Sequence, residues 1–141
     1  MSCARVVLDT NVILDLMLAR APFDRPAMAL AAAAVRGEIV AYVCATSVTT
    51  IHYIARKQLG RDGAARAIGK LLQAFKVAAV TDVVLQHALD RDFSDFEDAV
   101  IDAAAEHVGA TAIVTRDANG FATSALAVFT PAEMVHALTT A

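Results

Sequence analysis

Arg5-Val6-Val7-Leu8-Asp9-Thr10-Asn11 decides the fold. An apolar run ends on Asp-Thr-Asn, and helical spacing begins at once with Val12, Ile13, Leu16 and Met17. A short apolar run bounded by polar turn residues reads as a buried strand. Thr10 or Asn11 can cap the helix that follows. Asp9 then stands at the carboxyl end of a first parallel strand, the edge where open α/β sheets bind ligands. A carboxylate there needs solvent, hydrogen bonds or a cation. Alone, Asp9 either satisfies turn amides or serves a ligand, and the rest of the chain must decide.

The same alternation continues outward. A helix over 11–19 is followed by the loop Arg20 to Arg25, where Pro22 stops the helix. Asp24 is placed to cap a second helix, with Pro26 in its first turn and Gly37 at its end. Ile39 to Ala45 reads as a second strand, and Ser47 as the cap of a helix reaching Leu59-Gly60. Asp62 opens a further helix, Val77 to Val80 forms a third strand, and Thr81 or Asp82 caps a helix through Leu89. A polar connector, Arg91 to Asp95, leads into a helix over 96–107, which Gly109 ends. Ala112 to Thr115 and Leu126 to Phe129 are strands four and five, and Pro131 opens a last helix. Alternating strands and helices predict an α/β domain: a mostly parallel sheet with helices on both faces. The β-branched runs at 39–43 and 112–115 count against the alternative, a four-helix bundle. No repeat or linker divides residues 1–141, so one domain is expected.

A chain of 141 residues can bury roughly 68–70% of its unfolded surface, so its core needs no disulfide or metal. It is 57% hydrophobic, yet no apolar stretch reaches the length of about 20 residues that spans a bilayer. Met1 to Arg5 lacks the charged-then-apolar pattern of a leader. Cys3 and Cys44 form neither a metal pair nor a disulfide framework. A cytoplasmic protein without a membrane partner is expected.

The acids carry the chemistry. Asp98 lies one turn into its helix, with Asp95 three residues before and Asp102 four after, spacings that share a helix face. Asp117 follows the fourth strand as Asp9 follows the first. Two strand-end carboxylates and a helix carboxylate could meet in one cleft. Hard oxygen ligands without His or Cys suit Mg²⁺ or Mn²⁺. Such ions activate water and offset charge on a phosphodiester. The competing reading is a set of helix caps and solvated turns. The formal net charge is −3, and Asp9, Asp95, Asp98 and Asp117 account for four negative charges, so the remainder carries +1. The acidity is concentrated in the proposed site.

Val7-Leu8-Asp9-Thr10-Asn11-Val12, Phe96-Glu97-Asp98-Ala99 and Val114-Thr115-Arg116-Asp117, in this order and spacing, resemble the PIN domain, especially bacterial VapC-type toxins. The resemblance covers essentially the whole chain. It implies a three-layer α/β/α fold and metal-dependent cleavage of RNA. By that resemblance Asp9, Asp98 and Asp117 are the metal-binding acids, with Asp95 an extra catalytic candidate, and a small antitoxin is a partner. One departure stands out. Many PIN domains carry Ser, Thr and Glu three residues apart in the helix after the second strand. Here Ser47 and Thr50 are followed by Tyr53. The site is therefore expected to be short of one acid unless Asp95 compensates.

Other features are less specific. His52 is either a proton shuttle or a half-exposed helix residue, and His87, His107 and His136 suggest no ligand set. Arg56, Lys57, Arg61, Arg66 and Lys70 form either a phosphate-contacting face or a solvated one. Apolar residues of the early helices serve either a homodimer face or the core. Glycine-rich phosphate loops and nucleophile motifs are absent. A phosphatase of similar architecture would want a second Asp where Asn11 stands. The rival from another class is a non-catalytic PIN-like module that binds RNA or protein.

Overall fold

The computed structural model describes residues 3–140. Residues 1 and 2, on which part of the leader expectation falls, lie outside the described residues. Five strands form one sheet: β1 (Ala4–Leu8), β2 (Ile39–Cys44), β3 (Lys76–Ala78), β4 (Ala112–Val114) and β5 (Ala127–Phe129). Their spatial order is β3-β2-β1-β4-β5, and every pairing is parallel. The helices are α1 (Thr10–Met17), α2 (Asp24–Val35), α3 (Ala45–Ala74), α4 (Asp82–Leu89), α5 (Phe96–His107) and α6 (Pro131–Thr140). The expected three-layer α/β/α architecture is what the chain adopts.

Strand geometry explains the layers. Successive side chains of a strand point to opposite faces. Val6 and Leu8 therefore join one core, with Ile13 of α1, Leu30 of α2, Ile51 of α3 and Met134 of α6. Val7 joins the other, with Ile113 of β4, Val84 of α4, Ile101 of α5 and Phe121. A strand covered on both faces has no polar side, so Val6, Val7 and Leu8 read as one apolar run.

The chain winds outward from β1 through β2 to β3, then returns to β4 on the other side of β1. The order reverses between β1 and β4, and at such a switch point the flanking loops part to leave a crevice. Asp9 and Asp117 follow these two strands, and α5, which precedes β4, brings its N-terminus to the same edge.

Several boundaries differ from the expectation for local reasons. The cap of α1 is Asp9 itself, whose Oδ1 accepts from Thr10 N at 2.7 Å. α3 begins at Ala45, directly off β2, so Ser47 sits inside the helix and is fully buried rather than capping it. Asp24 is the first residue of α2, and the cap, Phe23, makes no side-chain bond. β3 is Lys76–Ala78, one residue earlier than Val77 and two shorter at its end. The helix break expected near Gly60 is real: Gly60 takes φ 74° and ψ 173° and divides α3 in two, a conformation open to glycine at little cost. Thr81 caps α4 as expected, accepting from Val84 N.

Candidate functional site

Asp9 is 7% exposed, and both of its oxygens are engaged. Oδ1 takes the Thr10 amide, and Oδ2 accepts from the buried Thr115 hydroxyl at 2.8 Å. Burial raises the Asp9 pKa, and the charges of Asp117 and Asp95 add to that; the bonds from Thr115 and Thr10 oppose it. The same Thr115 Oγ1 accepts from Asp117 N at 2.9 Å. One hydroxyl thus ties the acids of two strand ends to each other.

Asp117 also caps a 3-10 turn, Ala118–Phe121, accepting from Gly120 N at 3.3 Å. A Cβ on Gly120 would lie 2.8 Å from Asp98 Oδ2 and 3.1 Å from Asp117 Oδ2. Bare backbone therefore lies against both carboxylates, and a side chain would displace them. The sequence reading missed Gly120; its position three residues after a strand-end acid is the available signal.

The α5 N-terminus adds the remaining acids. Asp95 caps the helix through Oδ1, which accepts from Asp98 N at 3.0 Å. Carboxylates suit this end of a helix because its free amides carry positive partial charge. Burial pushes the Asp98 carboxyl up to about 7, and the neighbouring charges of Asp9, Asp95, Asp117 and Glu97 push the same way. Glu97 is also raised, by burial first and then by Asp95 and Asp9. Its Oε1 lies 3.4 Å from Thr10 Oγ1, which donates to Ser47 Oγ at 2.9 Å. Glu97 thus joins the cluster though the sequence reading did not single it out.

Nearby cations are engaged elsewhere. Asp15 is fully buried in α1 and meets Arg20 Nε at 2.8 Å and Arg116 Nε at 2.7 Å. Arg116, one residue before Asp117, also stacks over Phe23 with 4.1 Å to the ring centroid. Asp102 shares a helical spacing with Asp98 but belongs to a different environment. It is 2% exposed, pairs with Arg91 Nε at 2.8 Å and accepts from Ser124 Oγ. Tyr53 is 64% exposed, with Lys57 Nζ 4.4 Å from its ring centroid. His87 Nδ1 and His107 Nε2, far apart in sequence, meet at 2.9 Å.

The donor set is all oxygen, which is what Mg²⁺ or Mn²⁺ takes. As they stand, no three His, Cys, Asp or Glu side chains among the described residues are arranged to hold an ion between them. Asp9, Asp98 and Asp117 fit such an ion by chemistry and by their shared edge. A separate apolar groove of about 540 Å³ is lined by Ile13, Leu16 and Met17 of α1 and by Leu59, Arg66 and Lys70 of α3; none of the acids lines it. No helix among the described residues is long and apolar enough to cross a membrane.

An all-parallel α/β/α domain is the architecture that the motifs implied. The sequence profile of the PIN domain matches residues 5–119, and the chain belongs to the PIN domain family. Solved structures share the fold. A chain of a toxin-antitoxin complex from Klebsiella pneumoniae is 20% identical, with a TM-score of 0.67, 89% of this chain and 97% of that one being covered. A chain of VapBC2 from Rickettsia felis, bound to a DNA fragment from its promoter, is 12% identical at TM-score 0.65, covering 89% and 98%. VapC20 of Mycobacterium tuberculosis, a toxin that cleaves the sarcin-ricin loop, is 16% identical at TM-score 0.60, covering 77% and 86%. No curated protein matches the chain in sequence.

Proposed function

We propose that this PIN domain is a Mg²⁺- or Mn²⁺-dependent endoribonuclease and the toxin of a toxin-antitoxin pair. The observation that carries the reading is the acid cluster at the switch point, unpaired with any Lys or Arg among the described residues, with Asp98 raised to about 7 by burial and by four neighbouring acids. Asp9, Asp98 and Asp117 would hold the ion, and Asp95 would add charge beside them. A bound divalent ion would lower the pKa of a water and offset charge on the scissile phosphodiester. Thr115 orients Asp9 and Asp117 together through its one hydroxyl. Gly120 leaves the space into which Asp98 and Asp117 face. Arg56, Lys57 and Arg61, exposed on α3, would contact RNA phosphates.

The apolar groove between α1 and α3 suits a small antitoxin. Arg66 and Lys70 on its wall favour a partner segment that is apolar on one side and acidic beside it. Met28 and Val35, exposed on α2, are available for a homodimer face. A cytoplasmic site of action accords with this reading.

The test is cleavage of a structured RNA with Mn²⁺, with EDTA, and by Asp98→Asn. Metal-dependent cleavage lost in the variant is expected; equal cleavage in EDTA would refute the metal role. Charge reversal at Arg56 and Lys57 is expected to weaken RNA binding and flatten its salt dependence. A second reading, a non-catalytic module that binds RNA or protein, is favoured by Tyr53 standing where many relatives have Glu. RNA binding without cleavage under any metal would support it.

A further inference from the structure

We propose that Glu97 supplies the carboxylate that α3 lacks, so that the ion-holding set is Asp9, Glu97, Asp98 and Asp117. This rests on the metal-dependent reading above and assigns a residue within it. Adjacent residues of a helix point about 100° apart, so Asp98 and Glu97 leave the first turn of α5 in different directions. Asp98 Oδ2 faces Gly120 and Asp117. Glu97 Oε1 reaches to within 3.4 Å of the Thr10 hydroxyl. The Thr10 amide, in turn, is 2.7 Å from Asp9 Oδ1. The two neighbours therefore reach different parts of the cleft, Asp98 towards Gly120 and Asp117 and Glu97 towards the residue that follows Asp9.

Glu97 lies on the side that α3 borders, because the same Thr10 hydroxyl donates to Ser47 of α3. An acid delivered by α3 would enter from that side. Tyr53 does not do so: it is 64% exposed and covered by Lys57. The longer Glu side chain makes up the distance from α5. No Lys or Arg among the described residues forms an ion pair with Glu97. A carboxylate kept beside other carboxylates without a cation opposes folding, and a shared divalent ion removes that opposition.

The experiment is Mn²⁺ titration by calorimetry on the full chain, comparing wild type, Glu97→Gln and Asp98→Asn, with melting of each in EDTA. Even outer partners of a metal site change affinity by roughly 10–100-fold, so Glu97→Gln is expected to weaken Mn²⁺ binding at least about tenfold. Its melting temperature in EDTA should equal or exceed that of wild type, because repulsion is relieved. Unchanged affinity in Glu97→Gln beside weakened binding in Asp98→Asn would overturn this assignment alone. Unchanged affinity in both would overturn the metal reading and this inference with it. Weakened binding with a lower melting temperature in EDTA would also overturn it, by showing Glu97 to be structural.

Discussion

Asp98→Asn should stabilise the metal-free protein at pH 8 and do so much less at pH 5. The Asp98 carboxyl is raised from its ordinary 3.8 to about 7, first by burial and then by Asp9, Asp95, Asp117 and Glu97. Between those values the folded chain keeps a proton that the unfolded chain releases. The stability it contributes is therefore full below the ordinary pKa and is lost as pH rises through about 7. A pKa unit is about 1.36 kcal/mol, so the ceiling is about 4 kcal/mol. The carboxyl is only half-buried, and solvent screening reduces this to about 1–2 kcal/mol. Asn keeps the shape without the charge. For a chain of this size, melting in EDTA at pH 8 should rise by roughly 3–8 °C. At pH 5 the folded wild type is mostly protonated but the unfolded chain is not, so the gain should shrink to about a third of its pH 8 value and vanish only below the ordinary pKa of 3.8. Saturating Mn²⁺ should reverse the order, since ion at 100 times its Kd stabilises the wild type by about 2.7 kcal/mol. A variant no more stable than wild type at pH 8 in EDTA would refute the picture of an electrostatically opposed cluster.

Gly120→Ala should fold almost normally but bind Mn²⁺ more weakly, because its Cβ meets the movable ends of Asp98 and Asp117; calorimetry beside a melting curve separates the two effects. Asp15→Ala leaves Arg20 and Arg116 without their shared partner and should cost about 3 kcal/mol in urea unfolding; a change within error would mean that hydration replaces the pair. Tyr53→Glu should leave Mn²⁺ affinity unchanged, since residue 53 faces solvent beside Lys57. Tighter binding would put that helix face on the cleft.

The strand-end acids were legible because an apolar run and the polar residue ending it are adjacent in sequence. Asp9 and Asp117 needed only the rule that ligands gather at the carboxyl edge of a parallel sheet. Ser47 was misplaced because a helix starting directly off β2 has no loop to mark its cap. Glu97 stood within a quoted motif but off the face that Asp95, Asp98 and Asp102 share by spacing. Only Thr10, brought from another element, gives it a place in the cleft. Asp102 fails the same arithmetic in the opposite sense: the spacing groups it with Asp98, and Arg91 and Ser124 engage it elsewhere. Asp15 carried no signal in the sequence, because one of its partners, Arg116, is 101 residues away. His87 and His107 meet only through the packing of α4 on α5.

The distribution of cations explains why the cluster is left charged. Arg116 immediately precedes Asp117 and could reach a strand-end acid, yet it lies on Phe23 and pairs with Asp15. Arg91 lies four residues before Asp95, yet it pairs with Asp102 and Glu106. Both arginines neutralise acids that are structural, and each fastens a segment bearing a cleft acid. Arg116 ties the loop after β4 to α1, and Arg91 ties the connector before α5 to that helix. The same pairings that hold Asp117 and Asp95 in position therefore leave Asp9, Glu97, Asp98 and Asp117 without a basic partner among the described residues. Proteins depart from local electrostatic rules mainly at functional sites, and this departure has a definite chemical complement. A small, hard cation from solution can sit among oxygen donors where a guanidinium would block the phosphate that must approach.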